Sequence, residues 1–338
     1  MDNLSHSLTG LALSRAGLNR LTPHATLLLL LSANIPDSDV VSLAKSQLAY
    51  LEVHRGLTHS LAAAPLLAMA CVMIVAAGYR KRLPWLRAWF VCCVGVLSHL
   101  LLDWTNSYGI RLLTPFSGQW FHLDLNALTD GPILALLALA AIWPLFSSLV
   151  SGEIGAVKKS AGRGIALSVL FLCGGFEACR YYLHQGAVTQ LESRLYAGEP
   201  PLQVAALPTA LNPFLWRAIV ETETNFLEFN VNNLGLSDGE SVHSFFRIPS
   251  SESLARARSS PPFAYFLYFA RFPIWSVQSV DLKDGTGKRI ELTDLRFGQP
   301  GRGDFHCVAV ENPTGKIVGS WFTFGSGADL GWNDPAGR

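Results

Sequence analysis

Ser98-His99-Leu100-Leu101-Leu102-Asp103-Trp104-Thr105-Asn106-Ser107-Tyr108 closes an apolar run that begins near Leu86. Read as helix, the run puts His99 and Asp103 one turn apart on the same face, close enough to hold one ion. An ionisable pair at the end of an otherwise apolar helix is a functional signal when that helix lies in a membrane. The alternative is a His–Asp hydrogen bond that only pins two helices, and the pair alone does not choose between them.

Composition supports the membrane reading. The chain has 338 residues, half of them hydrophobic and 15% charged, with a mean hydropathy of +0.29. That length suits about two domains, and soluble domains carry roughly 25% charged residues. Uncharged runs recur from Leu61 to about Cys173, whereas the stretch after Pro200 has the composition of a soluble domain. The net charge of +1 gives no reason to expect a nucleic-acid partner. No pair among the six cysteines has CxxC spacing, so they read as small core residues rather than a disulfide framework or zinc finger. The N-terminus lacks the basic region of a cleaved signal peptide, which leaves translocation to the spanning helices.

Working outward, six apolar segments are expected to cross: Leu4–Leu18, Pro23–Ala33, Leu61–Gly78, Trp85–Asp103, Gly131–Val150 and Gly164–Tyr182. The first two are short for a span of about 20 residues and suit a tilted pair or a re-entrant hairpin. Between them and the third segment lie an Asn34-Ile35-Pro36-Asp37-Ser38-Asp39 turn, a moderately polar connection from Val40 to Val53, and His54-Arg55-Gly56-Leu57-Thr58-His59-Ser60. Taken singly, the two blocks also read as a capped solvated turn and a polar helix start. Basic residues cluster at Arg15/Arg20, at Arg80/Lys81/Arg82 with Arg87, and at Lys158/Lys159/Arg163. With six spans these fall on one side, which the positive-inside rule makes cytoplasmic. The opposite, periplasmic face then receives His6, Asp37, Asp39, His54, His59, His99 and Asp103 together. These are candidate metal ligands at one end of the domain.

Imidazole and carboxylate together suit zinc, manganese or iron(II) better than calcium. Seven such groups exceed one tetrahedral shell, so the expectation is one or two divalent ions, zinc first. Two ions about 4 Å apart can clamp a phosphoryl group and activate water. Asp39 and Asp37 are candidates for proton transfer, Arg111 for gripping an anionic substrate oxygen, and Ser60, Thr58 and Asn106 for orienting ligands. His122, Asp124 and Asp130 are weaker candidates. His24, His184, His243 and His306 read as structural.

The blocks at His6, Ile35–Asp39, His54–Ser60 and Ser98–Asp103, with Asn106-Ser107-Tyr108-Gly109 after them, resemble the family of inner-membrane-associated metal-dependent hydrolases, some of whose members are described as LexA-regulated. The resemblance covers roughly residues 1–150. Asn212-Pro213-Phe214-Leu215-Trp216-Arg217 also resembles longer members with an added tail. The resemblance implies a bacterial membrane hydrolase that uses metal, and it supplies no substrate. The His-x3-Asp pairs are similar, in ligand style alone, to zinc-dependent phospholipase C and related nucleases.

The expected architecture is a multi-span α-helical membrane domain (1–185) followed by a mainly β, antiparallel extramembrane domain (186–338). Strands are expected at Arg217–Glu223, Ser244–Ile248, Ala264–Ala270, Ile274–Val280, Arg289–Leu292 and Val308–Val310, with turns at Asp284-Gly285, Pro300-Gly301 and Asn312-Pro313. The expected function is a metal-dependent hydrolase of the inner membrane acting on a phosphoester or lipid-linked substrate. Its partners are membrane lipid and a small-molecule or lipid substrate. The alternative is a non-catalytic membrane protein that binds or transports metal.

Overall fold

A computed structural model describes residues 1–80, 83–153, 162–233, 242–301 and 304–325. Lys81, Arg82, Lys158 and Lys159 of the basic clusters lie outside the described residues. The N-terminal half is helical: α1 (Asn3–Ala16), α2 (Ala25–Ser32), a 3-10 segment (Ile35–Ala44), α3 (Gln47–Val53), a 3-10 turn (Leu57–His59), α4 (Ala64–Tyr79), α5 (Trp85–Trp104), α6 (Gly131–Glu153) and α7 (Gly162–Glu192). The Asp2 side chain starts α1 by accepting from Ser5 N, an N-cap bond. Pro36 opens the 3-10 segment, so the turn expected from the sequence at Asp37 and Asp39 is the start of a ten-residue 3-10 helix. The connection from Val40 to Val53 is likewise ordered, as the rest of that segment and α3.

Among the described residues, α5 and α7 are long and apolar enough to cross a membrane. Counting two bent pairs as broken spans raises the number to four: α2 with Ile35–Ala44, bent by 45°, and Gln47–His59 with α4, bent by 88°. By length and composition the described residues thus give two to four spans, against the six apolar segments read from the sequence. In the third segment the helix starts only at Ala64, after the turn at Ser60, with Pro65 in its first turn. Within α5 39% of the apolar window is buried inside the protein, and within α7 only 11%, so most of α7 is free to face lipid.

Close helix contacts place the site. A Cβ on Gly95 of α5 would fall 2.0 Å from Ser32 Oγ and 3.0 Å from Ser32 Cβ, so the missing side chain lets α5 lie against the end of α2. Leu28, Leu29, Val91 and Val96 fill the core around this contact.

Among the described residues the C-terminal half holds two four-stranded antiparallel meanders rather than a single sheet. The first comprises β1 (Gln203–Pro208), β2 (Leu215–Glu221), β3 (Asn225–Asn232) and β4 (His243–Phe246). The second comprises β5 (Pro273–Leu282), β6 (Gly285–Asp294), β7 (Phe305–Glu311) and β8 (Ile317–Phe324). Between them run α8 (Glu252–Arg258) and α9 (Pro261–Phe269). The stretch Ala264–Ala270, expected as a strand, is helix α9. Pro261 and Pro262 occupy its first turn, where a missing N–H costs nothing. Phe263, Phe266 and Phe269 then recur every three residues on the buried side. The helical half also runs past the boundary expected at 185, because α7 continues to Glu192. All six cysteines are free.

Candidate metal centre

His59, His99, Asp37 and Asp103 form a cage. His59 Nε2 lies 3.1 Å from His99 Nε2, 3.4 Å from Asp37 Oδ1 and 3.4 Å from Asp103 Oδ2. His99 Nε2 lies 3.6 Å from Asp37 Oδ1 and 3.3 Å from Asp103 Oδ2. These are five of the six edges of a four-atom cage, and all four atoms lie within 4.8 Å of one another. Donors about 2.0–2.1 Å from a tetrahedral ion stand about 3.3 Å apart, so the spacing fits one ion. The side chains of His59, His99 and Asp103 are 0–1% exposed, and that of Asp37 is 17% exposed. Asp103 Oδ2 and both ring nitrogens of His6 are buried without a hydrogen-bond partner. Buried polar groups are almost always satisfied, so the orphaned atoms also favour a ligand. His6 stacks on His99 with ring centroids 3.8 Å apart, its Nε2 3.5 Å from Asp103 Oδ1, and the Met1 amino group meets the same oxygen.

The surrounding contacts aim the cage nitrogens inward. His99 Nδ1 is bonded to Ala33 O at 2.7 Å, which the close α5–α2 approach at Gly95 permits and which leaves Nε2 for the cage. Asp39 lies behind the other side. Its Oδ1 is 2.9 Å from His54 Nδ1, and its Oδ2 accepts from Arg55 N and from Thr58 Oγ1, both at 3.1 Å, with His59 Nδ1 3.4 Å away. Such carboxylate–imidazole contacts fix the tautomer and ring orientation of a ligand histidine. A second group, Asp37, Asp39 and His54, shares Asp37 with the cage. In that group Asp39 is already engaged by His54 Nδ1, Arg55 N and Thr58 Oγ1.

All seven expected ligands lie in or beside this cluster, with Thr58 and Asn106 touching it. Ser60 instead bonds Leu57 O and caps the turn to α4. Arg111 does not reach the cluster. Its Nη2 donates to Glu52 O at 2.6 Å, and its guanidinium sits over the Trp120 ring at 5.0 Å. The guanidinium at the site belongs to Arg55, which the sequence reading passed over. Arg55 donates to Asp103 Oδ1 at 3.0 Å, to Asn106 Oδ1 at 2.9 Å and to Gly109 O at 3.3 Å, with its backbone at φ 55°. Gly56 beside it cannot carry a side chain, because a Cβ there would meet Arg111 Nη2 at 2.5 Å and Val53 O at 2.8 Å. The available signal was an arginine flanked by His54 and His59 in one block.

Of the weaker candidates, Asp130 accepts from Ile133 N at the start of α6 and pairs with Arg180 at 2.8 Å. Asp124 pairs with Arg271 of the C-terminal half through both carboxylate oxygens at 2.9 Å, and His122 lies 3.3 Å from it. Burial alone would raise the Asp124 carboxyl, but Arg271 and His122 outweigh it and hold it below the usual carboxylate range. That pair helps seat the β-rich half over the site. Arg296 reaches Ser107 O at 2.9 Å, Tyr265 reaches Glu52 O at 3.0 Å, and Phe324 N reaches Gln47 Oε1 at 2.9 Å. Tyr108, against Phe269, Phe297 and Phe305, and Tyr50, against His54 and Phe324, wall the cluster with aromatic rings.

Residues 1–186, which hold the whole cluster, match the profile of the YdjM inner membrane protein family. The chain belongs to that family. Family membership and the apolar helices support an inner-membrane location. The chain is also 25% identical, over 325 residues, to the Uncharacterized protein YfhP of Bacillus subtilis (strain 168), a match that covers 91% of this chain and 90% of that protein. It is 38% identical over 104 residues to the Inner membrane protein YbcI of Escherichia coli (strain K12), covering 30% of this chain and 58% of that protein. No solved structure matches. The family description speaks for a membrane protein; the hydrolase activity and LexA regulation implied by the sequence resemblance are no part of it.

Proposed function

We propose that this protein is a membrane-embedded, metal-dependent hydrolase whose substrate is a phosphoester, lipid-linked and approaching from the membrane side. The observation that carries the reading is the buried four-donor cage with orphaned polar atoms at its edge. Two imidazoles and two carboxylates suit zinc, with manganese or iron(II) as alternatives. When bound, such an ion supplies Lewis acidity and lowers the pKa of a water at the site.

The residues of the chain then divide the work. Asp37 is the cage carboxylate with an accessible side chain, so it is the group positioned to meet substrate and to take the proton of an attacking water. Asp39, already engaged by His54, Arg55 N and Thr58, orients His54 and His59 rather than transferring protons. Arg55 offsets the charge of Asp103. Exposed Val40, Val41 and Leu43 follow Asp37 on the same 3-10 segment, which favours a lipid-linked substrate over a freely soluble one. The basic clusters support placing the site on the periplasmic face.

The test is a phosphoesterase screen, including phospholipid-type substrates, in detergent and in nanodiscs, with metal content measured on the same samples. Metal-dependent turnover is expected. Bound metal without turnover of any ester would instead favour a non-catalytic metal-binding protein.

A further inference from the structure

We propose that a cavity at the other end of the helical half, distinct from the metal cage, binds the phosphate of an anionic phospholipid. The cavity, of about 160 Å³, is lined by Arg15, Asn19, Arg20, Pro144, Gly162 and Arg163. Three guanidiniums and an amide converge there, and no carboxylate is among the lining residues. Among the described residues no carboxylate pairs with any of the three arginines.

The local chemistry explains why the arginines gather. Pro144 lacks an N–H and leaves the carbonyl of Ala140, four residues earlier, without its helical partner. Arg15 Nη1 fills that gap, donating to Ala140 O at 2.6 Å and to Ala141 O at 2.7 Å. Arg163 donates through Nε to Ala16 O at 3.1 Å, which leaves both its Nη groups free for an anion. Arg20 is exposed and makes no side-chain hydrogen bond among the described residues. The planar guanidinium is well matched to phosphate.

Position favours a lipid as the source of the phosphate. Arg15 follows His6 by nine residues on α1, roughly 13 Å along the helix at about 1.5 Å per residue, so the cavity lies at the far end of α1 from the cage, beside the basic residues proposed as cytoplasmic. Basic pockets between membrane helices on the cytoplasmic side suit anionic headgroups. Next to Pro144, Ile142, Trp143 and Phe146 are exposed, as are Leu167, Phe171 and Leu172 farther along α7. Acyl chains can lie on these side chains while the headgroup meets the arginines.

The full-length protein in non-ionic detergent tests this by native mass spectrometry and thermal melting. The three additives are dioleoylphosphatidylglycerol, dioleoylphosphatidylcholine and inorganic phosphate at matched ionic strength. Phosphatidylglycerol should be retained in preference to phosphatidylcholine and should raise the melting temperature, while inorganic phosphate alone should not. Arg20→Gln has no internal bond to lose and should fold normally. It should cut the preference roughly fivefold, and Arg20→Gln with Arg163→Gln should abolish it. Equal retention of the two lipids, or a preference unchanged in the double variant, would overturn the proposal. Melting shifts as large with inorganic phosphate as with phosphatidylglycerol would overturn the lipid assignment in favour of free phosphate.

Discussion

Asp37 and Asp39 are two residues apart and chemically identical, yet their surroundings give them different work. Asp39 touches two imidazoles, a backbone N–H and a hydroxyl, whereas Asp37 points one oxygen at His59 and His99 and keeps an exposed edge. Asp39→Asn should therefore weaken metal binding by roughly 10- to 100-fold, the usual effect of removing an orienting carboxylate. Asp37→Asn should abolish turnover while keeping part of the metal. Metal titration and activity on the same samples separate the two, and equal effects on both readouts would contradict the division. Arg111→Ala should act on stability rather than on substrate affinity, since its guanidinium holds Glu52 O; a raised KM with unchanged melting would return Arg111 to the site. The side chains that meet in the cage were legible in the sequence because residue type and short spacing marked them as one candidate set. Arg55 was not legible, because its role depends on a left-handed backbone and on partners about 50 positions away.

The element that most directly sets the cage is the α2–α5 contact. Gly95→Ala would drive a Cβ into Ser32 and push α5 outward, an overpacking that costs about 1–3 kcal/mol. It should also draw His99 Nδ1 away from Ala33 O, so metal content should fall together with the melting temperature. A variant that melts early but holds its metal would show that the contact does not position His99. Apolar runs foretold most helices, but their ends and the 3-10 segment depended on turn geometry that composition does not carry. In the C-terminal half, alternation found β2, β4, β5, β6 and β7. The aromatic run Phe263–Phe269 misled because aromatic residues are common in strands, while its period of three and the Pro261-Pro262 start belong to a helix.

At the scale of the molecule, the β-rich half sits on the loop that follows α5. The Asp124–Arg271 pair ties the two. Because the Asp124 carboxyl is held below its ordinary value in the fold, its contribution is present above about pH 4 and is lost as pH falls through the folded value. Melting profiles between about pH 5 and 2 should fall more steeply for the natural protein than for Asp124→Asn; identical slopes would remove the pair from the docking interface. We propose the periplasmic orientation of the site from the basic clusters. Cysteine labelling should find Arg20 replaced by cysteine inside and Ser250 replaced by cysteine outside, and both on one side would contradict the periplasmic placement of the site.

The cage itself is tested most directly by anomalous diffraction from crystals of the metal-loaded protein, at energies on both sides of the zinc edge. The account predicts a peak among His59 Nε2, His99 Nε2, Asp37 Oδ1 and Asp103 Oδ2, at roughly 2.0–2.2 Å from each, absent in His99→Ala crystals. A map without density there, or the same peak retained in His99→Ala, would contradict it.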